Sequence, residues 1–247
     1  MDIYGLIGHP LGHSFSKIYF TDKFENEGID AKYINFDINS IESILDVIVS
    51  NPNLRGFNVT LPYKQKIIPY LDEITKEARE IGAVNVVKVS RTGNNIKLKG
   101  FNSDLVGFTD SIRPLIRTHH KKALILGTGG ASKAIKYSLE HFFNMETVLV
   151  SRFSRPGTVT YTDINDEAIK EYEVIVNCTP VGMYPNIDKY PPLPYESMTN
   201  NNLLYDLIYN PDTTTFMKKG KEAGAVVKNG LEMLLLQAFA SWEMWND

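Results

Sequence analysis

The segment that most restricts what this chain can fold into is residues 123–131. The apolar run ALIL is followed at once by Gly127, Thr128, Gly129, Gly130 and Ala131, and then by helix-period sequence to about residue 143. A strand that ends in glycines and turns directly into a helix is the setting a dinucleotide pyrophosphate needs. Glycines let the backbone approach the phosphates, and the helix N-terminus offers N–H donors and the positive end of its dipole. The fingerprint G-x-G-x-x-G/A is met except at its third small position, where Ser132 stands. A glycine turn that serves only close packing is the competing reading.

The rest of the chain alternates in the same manner. Residues 3–7, 33–37 and 56–59 read as strands, and residues 84–89 and 96–98 as a hairpin turning at 92–95. Further strands are expected at 123–126, 147–150, 174–176 and 203–205. Ser16 is expected to cap a helix running to about residue 26, ended by Gly28. Ile41, Ile44, Leu45 and Ile48 stand at helical spacing, and a helix over 73–81 ends at Gly82. In the last helix Leu231, Leu234, Leu235, Ala238, Phe239 and Trp242 make one apolar stripe. Residues 180–196, dense in turn formers, read as one long irregular loop. Strands alternating with helices predict an α/β fold of parallel sheets with crossover helices.

Composition narrows the partners. With 247 residues, 43% hydrophobic and 22% charged, the chain can bury one large or two modest cores. A net charge of -3 with dispersed Lys and Arg leaves no nucleic-acid or anionic-membrane footprint. No apolar stretch approaches the ~20 residues of a membrane span, and MDIYGLIGHP reads as a strand entering a turn, not a signal peptide. A cytoplasmic location is expected. The single cysteine, Cys178, excludes an intrachain disulfide and a cysteine-based zinc site, and reads as a small core residue. His9 and His13 lie in a Gly/Pro loop without an acid or thiol near them in sequence, so no metal is expected. His119 and His120 read as solvated surface residues.

The strand after the glycine turn ends in Ser151-Arg152-Phe153-Ser154-Arg155. NAD sites place an acid there for the ribose hydroxyls, whereas NADP sites use Arg for the 2′-phosphate. The planar guanidinium fork donates two parallel bonds to phosphate. NADP(H) is therefore the expected cofactor, against the plainer reading of a solvated basic turn.

Four polar stretches fall where strands of the first half end. They are His13-Ser14-Phe15-Ser16, Asn58 to Lys64 (NVTLPYK), GAVN ending at Asn85, and Asn102-Ser103-Asp104. Singly, such residues are caps and turn formers. Together they supply hydroxyls, amides, one cation and one anion, an inventory suited to a small polyhydroxy acid. Reducing a ketone places negative charge on its oxygen as hydride arrives, and an ammonium such as Lys64 can neutralise it. Asp104 beside that lysine would orient it and bind a substrate hydroxyl. A solvated Lys64 on a helix is the alternative.

These motifs together resemble the shikimate dehydrogenase family. GLIGHPLGHSFS is similar to the family's opening, with Ser14 and Ser16 where it binds the substrate carboxylate. NVTLPYK places Lys64 at the catalytic lysine and Thr60 at a substrate position, and GAVN places Asn85 on a substrate hydroxyl. GFNSD makes Asp104 the partner of Lys64, and GTGGAS resembles the cofactor loop, Gly127 to Ala131. YDLIYNP puts Tyr209 at a substrate position and Leu207 near the nicotinamide; in NGLEMLLLQAF, Gly230 matches a cofactor contact and Gln237 a substrate contact. Lys17 replaces the family's usual Pro, and Ser103 its usual Thr.

The resemblance implies two α/β domains with a cleft between them. A substrate-binding domain is expected over 1–104 plus 229–247, and a Rossmann-type NADP-binding domain over 105–228. It implies NADPH-dependent reduction of 3-dehydroshikimate to shikimate, on the route to chorismate and the aromatic amino acids, by a monomer or homodimer. A quinate-using NAD enzyme of the same family and a non-catalytic NADPH or shikimate sensor are the alternatives. Retention of both Lys64 and Asp104 speaks against the sensor.

Overall fold

The computed structural model describes residues 1–12, 14–93 and 95–247. His13, expected in the first polar stretch, and Asn94, expected in the hairpin turn, lie outside the described residues. The chain divides into two compact units, Met1–Ser103 with Gln237–Asp247, and Asp104–Leu236.

The first unit runs β1 (Asp2–Gly8), α1 (Phe15–Asn26), β2 (Ala31–Asp37), α2 (Ile44–Ser50), β3 (Leu54–Val59), β4 (Glu73–Ile74), α3 (Lys76–Ile81), β5 (Val86–Thr92) and β6 (Asn95–Phe101). Its sheet has the order β2-β1-β3-β5-β6-β4. β1 pairs in parallel with β2 and β3, whereas β3–β5 and β5–β6 are antiparallel. The sheet is therefore mixed, because the 92–95 turn is too short to bring β6 round parallel to β5.

Strand β1 shows why the sheet is buried on both faces. Ile3 and Ile7 pack with Ile41, Ile44, Ile48 and Ile67 on one side. Tyr4 and Leu6 pack with Phe20, Phe24, Ala238 and Trp245 on the other. Successive side chains on a strand point to opposite faces, so one apolar run serves two cores.

The second unit runs α4 (Ser103–Ile112, its first residue in the other unit), β7 (Lys122–Leu126), α5 (Gly130–Phe142), β8 (Glu146–Ser151), β9 (Thr158–Thr160) and α6 (Asp166–Glu171). It continues through β10 (Val174–Asn177), β11 (Leu203–Asp206), α7 (Thr215–Glu222), β12 (Val226–Lys228) and α8 (Leu231–Asn246), the last continuing into the first unit. The sheet order is β12-β11-β10-β7-β8-β9, and its pairings among the described residues are all parallel. Leu124, Leu126, Ile175 and Leu204 meet α6 and α7 on one face. Ala123, Ile125, Val176 and Tyr205 meet α4 and α5 on the other. This is the three-layer, doubly wound arrangement. No helix among the described residues is long and apolar enough to cross a membrane.

Several local expectations need correction. Ser14, not Ser16, caps α1: its Oγ accepts from the Lys17 amide at 3.2 Å, and Ser16 lies inside the helix. The helix expected from residue 73 starts at Lys76, because Thr75 caps it and Glu73–Ile74 pair with β6. The apolar stripe of α8 is offset. Met233, Ala238, Ser241 and Trp245 are its buried residues, while Leu231 and Phe239 are 40% and 52% exposed. Met233 packs in a core of the second unit, and Ala238 and Trp245 in a core of the first, so no single stripe suffices.

His120 is buried rather than solvated. Its Nδ1 accepts from the Arg117 amide at 3.1 Å and its Nε2 lies 3.2 Å from the Asn201 carbonyl. Burial, and then the neighbouring His119, hold its pKa below the usual histidine value. His9 has a carboxylate partner after all, Asp37 Oδ1 at 2.7 Å, brought in from the end of β2. Among the described residues no cluster of three or more His, Cys, Asp or Glu could hold a metal.

Candidate active site

In the first unit β2 lies on one side of β1 and β3 on the other, which makes the carboxyl ends of β1 and β3 a topological switch point. The register aligns Ile7 with Val59, Asn58 with Val86, and Val86 with Phe101. One sheet edge thus carries the ends of β1, β3 and β6 and the start of β5. That is why residues far apart in sequence, Thr60, Asn85 and Ser103, come to the same edge. The Thr60 amide donates to the Ile7 carbonyl at 2.9 Å, and Val59 N to Asn85 O at 2.8 Å.

Asn85 is 4% exposed. Its Oδ1 accepts from the Ser103 amide at 2.7 Å, and its Nδ2 donates to Ser103 Oγ at 3.1 Å. The serine that replaces the family's threonine therefore keeps the hydroxyl that this bond uses. Asn102 is tied to the Ala83 carbonyl at 2.9 Å.

Lys64 is half-buried and stands in a turn, not on a helix. Its carbonyl accepts from Val84 N at 2.7 Å. The turn is anchored by Tyr63, 3% exposed, whose hydroxyl donates to the Ile38 carbonyl at 2.7 Å. The lysine backbone is thus fixed on both sides.

Sequence reasoning missed a polar bridge beneath this edge. The Tyr33 hydroxyl donates to Asn58 Oδ1 at 2.8 Å, and Asn58 Nδ2 to Ser241 Oγ at 2.9 Å. Ser241 in turn donates to the Gln237 carbonyl at 2.8 Å. Burial raises the Tyr33 phenol, opposed by a side-chain hydrogen bond with Ser16. One chain of bonds therefore connects Ser16 on α1, β2, β3 and the helix that carries Gln237. Asn58, a polar residue between the buried Phe57 and Val59, was the available signal.

In the second unit the switch point lies between β7 and β10. Gly127 has φ +110, a conformation that L side chains rarely adopt, and a Cβ there would stand 3.1 Å from Thr179 Cγ2. Gly129 precedes α5, and no side chain caps this helix. Ser132, at the fingerprint's imperfect position, is buried and donates its Oγ to the Gly129 carbonyl at 2.6 Å, closing the turn. Thr128, Gly129, Gly130 and Ala131 remain partly or fully open to solvent. An accessible, uncapped N-terminus on a 13-residue helix fits a pyrophosphate.

Strand β8 ends at Ser151, whose Oγ accepts from Phe153 N at 3.3 Å. Arg152, Ser154 and Arg155 are exposed on the loop that follows. No helix separates β8 from β9, so residues 152–157 alone return the chain to a parallel register. Parallel neighbours usually need a dozen or more residues. Here the return is closed by Thr158 N donating to the Arg155 carbonyl at 3.1 Å.

The remaining predicted residues also belong to this unit, apart from Gln237. Asp104 directly follows Ser103, in the first turn of α4, and is 2% exposed. Leu207 donates its amide to the Asn177 carbonyl at 3.0 Å, and Tyr209 is 41% exposed. At Gly230 a Cβ would fall 2.1 Å from the Leu207 carbonyl oxygen, so only glycine lets the two segments meet. Cys178 is half-buried, and burial pushes its thiol up, away from thiolate reactivity.

These features define a two-unit α/β protein with a Rossmann-type dinucleotide unit and a second unit whose sheet edge is lined with hydroxyls, amides and a lysine. The profile of the shikimate dehydrogenase substrate binding domain matches residues 6–87. A shikimate dehydrogenase (NADP(+)) of Methanococcus maripaludis is 37% identical over 262 residues, covering 98% of this chain and 90% of the relative. The shikimate 5-dehydrogenase of Thermus thermophilus, solved with NADP(H) and shikimate, superposes with a TM-score of 0.84 at 29% identity, over 99% of this chain and 93% of that one. That of Listeria monocytogenes, solved with shikimate and NAD, gives 0.81 at 26% identity, over 99% and 91%. The chain belongs to the shikimate dehydrogenase family.

Proposed function

We propose that this protein is an NADP-dependent shikimate dehydrogenase, catalysing the reversible reduction of 3-dehydroshikimate to shikimate. The observation that carries the reading is the single sheet edge that gathers Thr60, Asn85 and Ser103 beside the lysine turn, in a chain 37% identical to an NADP(+) enzyme of this name over nearly its full length. The reaction serves the route to chorismate, and a cytoplasmic location agrees with the single thiol.

Binding starts from the N-terminus of α1, where Ser14 and Ser16 receive the substrate carboxylate. Asn85, fixed by Ser103, binds a substrate hydroxyl, and Thr60 is a further substrate contact. An amide carries two N–H bonds, so Nδ2 can serve Ser103 and a ligand together. Gln237 and Tyr209 complete the substrate contacts. Gly127, Thr128, Gly129, Gly130 and Ala131 hold the pyrophosphate, while Ser151, Arg152, Ser154 and Arg155 hold the adenosine phosphate. Leu207 and Gly230 stand at the nicotinamide end. The substrate-binding domain in this reading is 1–104 with 229–247.

When bound, NADPH supplies the hydride that adds to the ketone carbon. The C=O π pair becomes the oxygen's, and the Lys64 ammonium gives it the proton. Asp104 orients the lysine and a neighbouring hydroxyl. In the reverse direction Lys64 takes that proton back.

The test is turnover of shikimate and quinate, each with NADP+ and NAD+, by the wild type and Lys64→Ala. Shikimate with NADP+ is expected to have the highest kcat/KM. Lys64→Ala should lower kcat by roughly 10²–10⁴-fold, the usual range for a lost general acid. Preference for quinate with NAD+ would make the chain a quinate dehydrogenase, and no turnover with any pair would make it a sensor.

A further inference from the structure

Asp206, the last residue of β11, is fully buried. Its Oδ1 accepts from Asn177 Nδ2 at 3.0 Å and from Ile208 N at 3.1 Å. Its Oδ2 accepts from Thr214 Oγ1 at 2.6 Å, and Thr214 also caps α7. Asn177, the last residue of β10, extends the network. Its Oδ1 accepts from Thr179 N at 3.1 Å and Thr179 Oγ1 at 2.6 Å. Its Nδ2 also reaches the Val181 carbonyl at 3.4 Å, and Val181 N donates to Thr179 Oγ1 at 3.2 Å.

Two adjacent loops at the carboxyl edge of the sheet, 178–181 and 207–209, are thereby tied to one carboxylate. The second loop is also held from the opposite side, where Gly230 N donates to the Ile208 carbonyl at 3.0 Å. Burial pushes the Asp206 carboxyl up to about 6, against the lowering effect of its three hydrogen bonds. An apolar residue here would avoid that cost, so stability alone does not explain the carboxylate.

We propose that Asp206 is a positioning residue for hydride transfer: through Ile208 it sets the loop that carries Leu207 at the nicotinamide end of the cofactor site, and through Asn177 the neighbouring loop 178–181, whose Thr179 lies against the Gly127 turn. This rests on the reading above that Leu207 and Gly230 stand at that end. A fully satisfied buried network specifies one geometry, and a misplacement of ~1 Å can cost ~10²-fold in rate.

The experiment compares wild type, Asp206→Ala and Asp206→Asn. It measures melting, NADPH affinity by fluorescence, and kcat for 3-dehydroshikimate with NADPH and with NADPH deuterated at the transferred position. Asn keeps an acceptor for Ile208 and Asn177 and can donate to Thr214 Oγ1. It should therefore stay within about tenfold of wild type, the worth of one hydrogen bond. Asp206→Ala should lower kcat by roughly 10–10²-fold while NADPH affinity changes by less than about tenfold. Its deuterium isotope effect should rise, because hydride transfer becomes slower than product release. Loss of folded enzyme lowers kcat without moving that ratio. An unchanged isotope effect, an unchanged kcat, or Asn behaving as badly as Ala would overturn the proposal.

Should Asp206→Ala fail to fold, Asn177→Ala severs the link to loop 178–181 and is read in the same way. If the wild type turns over no substrate, the proposed function has failed instead. Amide exchange at Ile208 and Thr179 still tests the loops: it should accelerate in Asp206→Ala or Asn177→Ala, and unchanged exchange refutes the positioning role.

Discussion

Arg152 and Arg155 are exposed side chains on a short loop, with the Arg152 guanidinium 5.8 Å above the Phe153 ring centroid. NADPH and NADH differ by one phosphate on the adenosine ribose, so discrimination belongs to groups near that ribose. A charge-assisted hydrogen bond contributes roughly 1.5–3 kcal/mol. Exposure and salt screening reduce this, so each arginine is expected to be worth about tenfold in NADPH affinity. Arg152→Ala and Arg155→Ala should each lower kcat/KM with NADPH by about that factor at low salt, leave NADH almost unaffected, and keep kcat at saturating cofactor. A double variant that still prefers NADPH would show that the phosphate is held elsewhere. What the structure shows of these arginines is their place, on the exposed loop after β8, as the strand end at Ser151 led one to expect. His120 was not legible: beside His119 and two lysines it reads as surface, whereas its ring is held by the Arg117 amide and the Asn201 carbonyl, the latter distant in sequence. Asn177 and Asp206 were missed for a related reason. They are 29 residues apart, and each alone resembles an ordinary polar strand end.

Among the elements, α1 shows where the sequence was ambiguous. Two serines two residues apart could each cap it, and the structure gives the cap to Ser14. Ser14 therefore has a structural duty besides its proposed duty to the carboxylate. The two separate by substitution. Ser14→Ala should cost about 1 kcal/mol of stability through the lost cap and also raise KM for shikimate. Ser14→Asp should restore the stability, because Asp caps as well as Ser. Its charge would repel the substrate carboxylate, so KM should rise further than with Ala while kcat holds. Melting curves and steady-state kinetics check both arms; an aspartate variant with wild-type KM would remove the carboxylate from this helix. Strands were easier to read than helix faces. β1, β7, β10 and β11 are short apolar runs buried on both sides, whatever packs against them. The face of α8 depends on two different cores, which no periodicity in its own sequence could announce.

At the scale of the molecule, each unit has its own sheet and its own pair of cores. The chain passes from one unit to the other after Ser103 and returns after Leu236. Alternating strands and helices made the α/β class readable, and β5–β6 is the hairpin expected from 84–89 and 96–98. The antiparallel pairing of β3 with β5, and the crossing between units inside α8, depend on contacts distant in sequence. A ligand that binds only native protein stabilises what it binds by RT ln(1 + [L]/Kd), about 2.7 kcal/mol at a hundredfold excess over Kd. The proposed residues for shikimate lie mainly in the first unit and those for NADP mainly in the second. Hydrogen exchange followed by mass spectrometry should therefore give two distinct maps. NADP+ alone should slow exchange in peptides covering 127–135 and 151–157. Shikimate alone should slow it in peptides covering 14–20, 58–67 and 83–87. Backbone amides at Gly130, Ala131 and Ser132 are the sharpest reporters, since no side chain caps α5 and the first amides of a helix have no partner within it. If shikimate alone protects the α5 end, or NADP+ alone protects the Lys64 turn, the ligands have been assigned to the wrong units. The fold would then stand, but the distribution of its chemistry between the two sheets would have to be reversed.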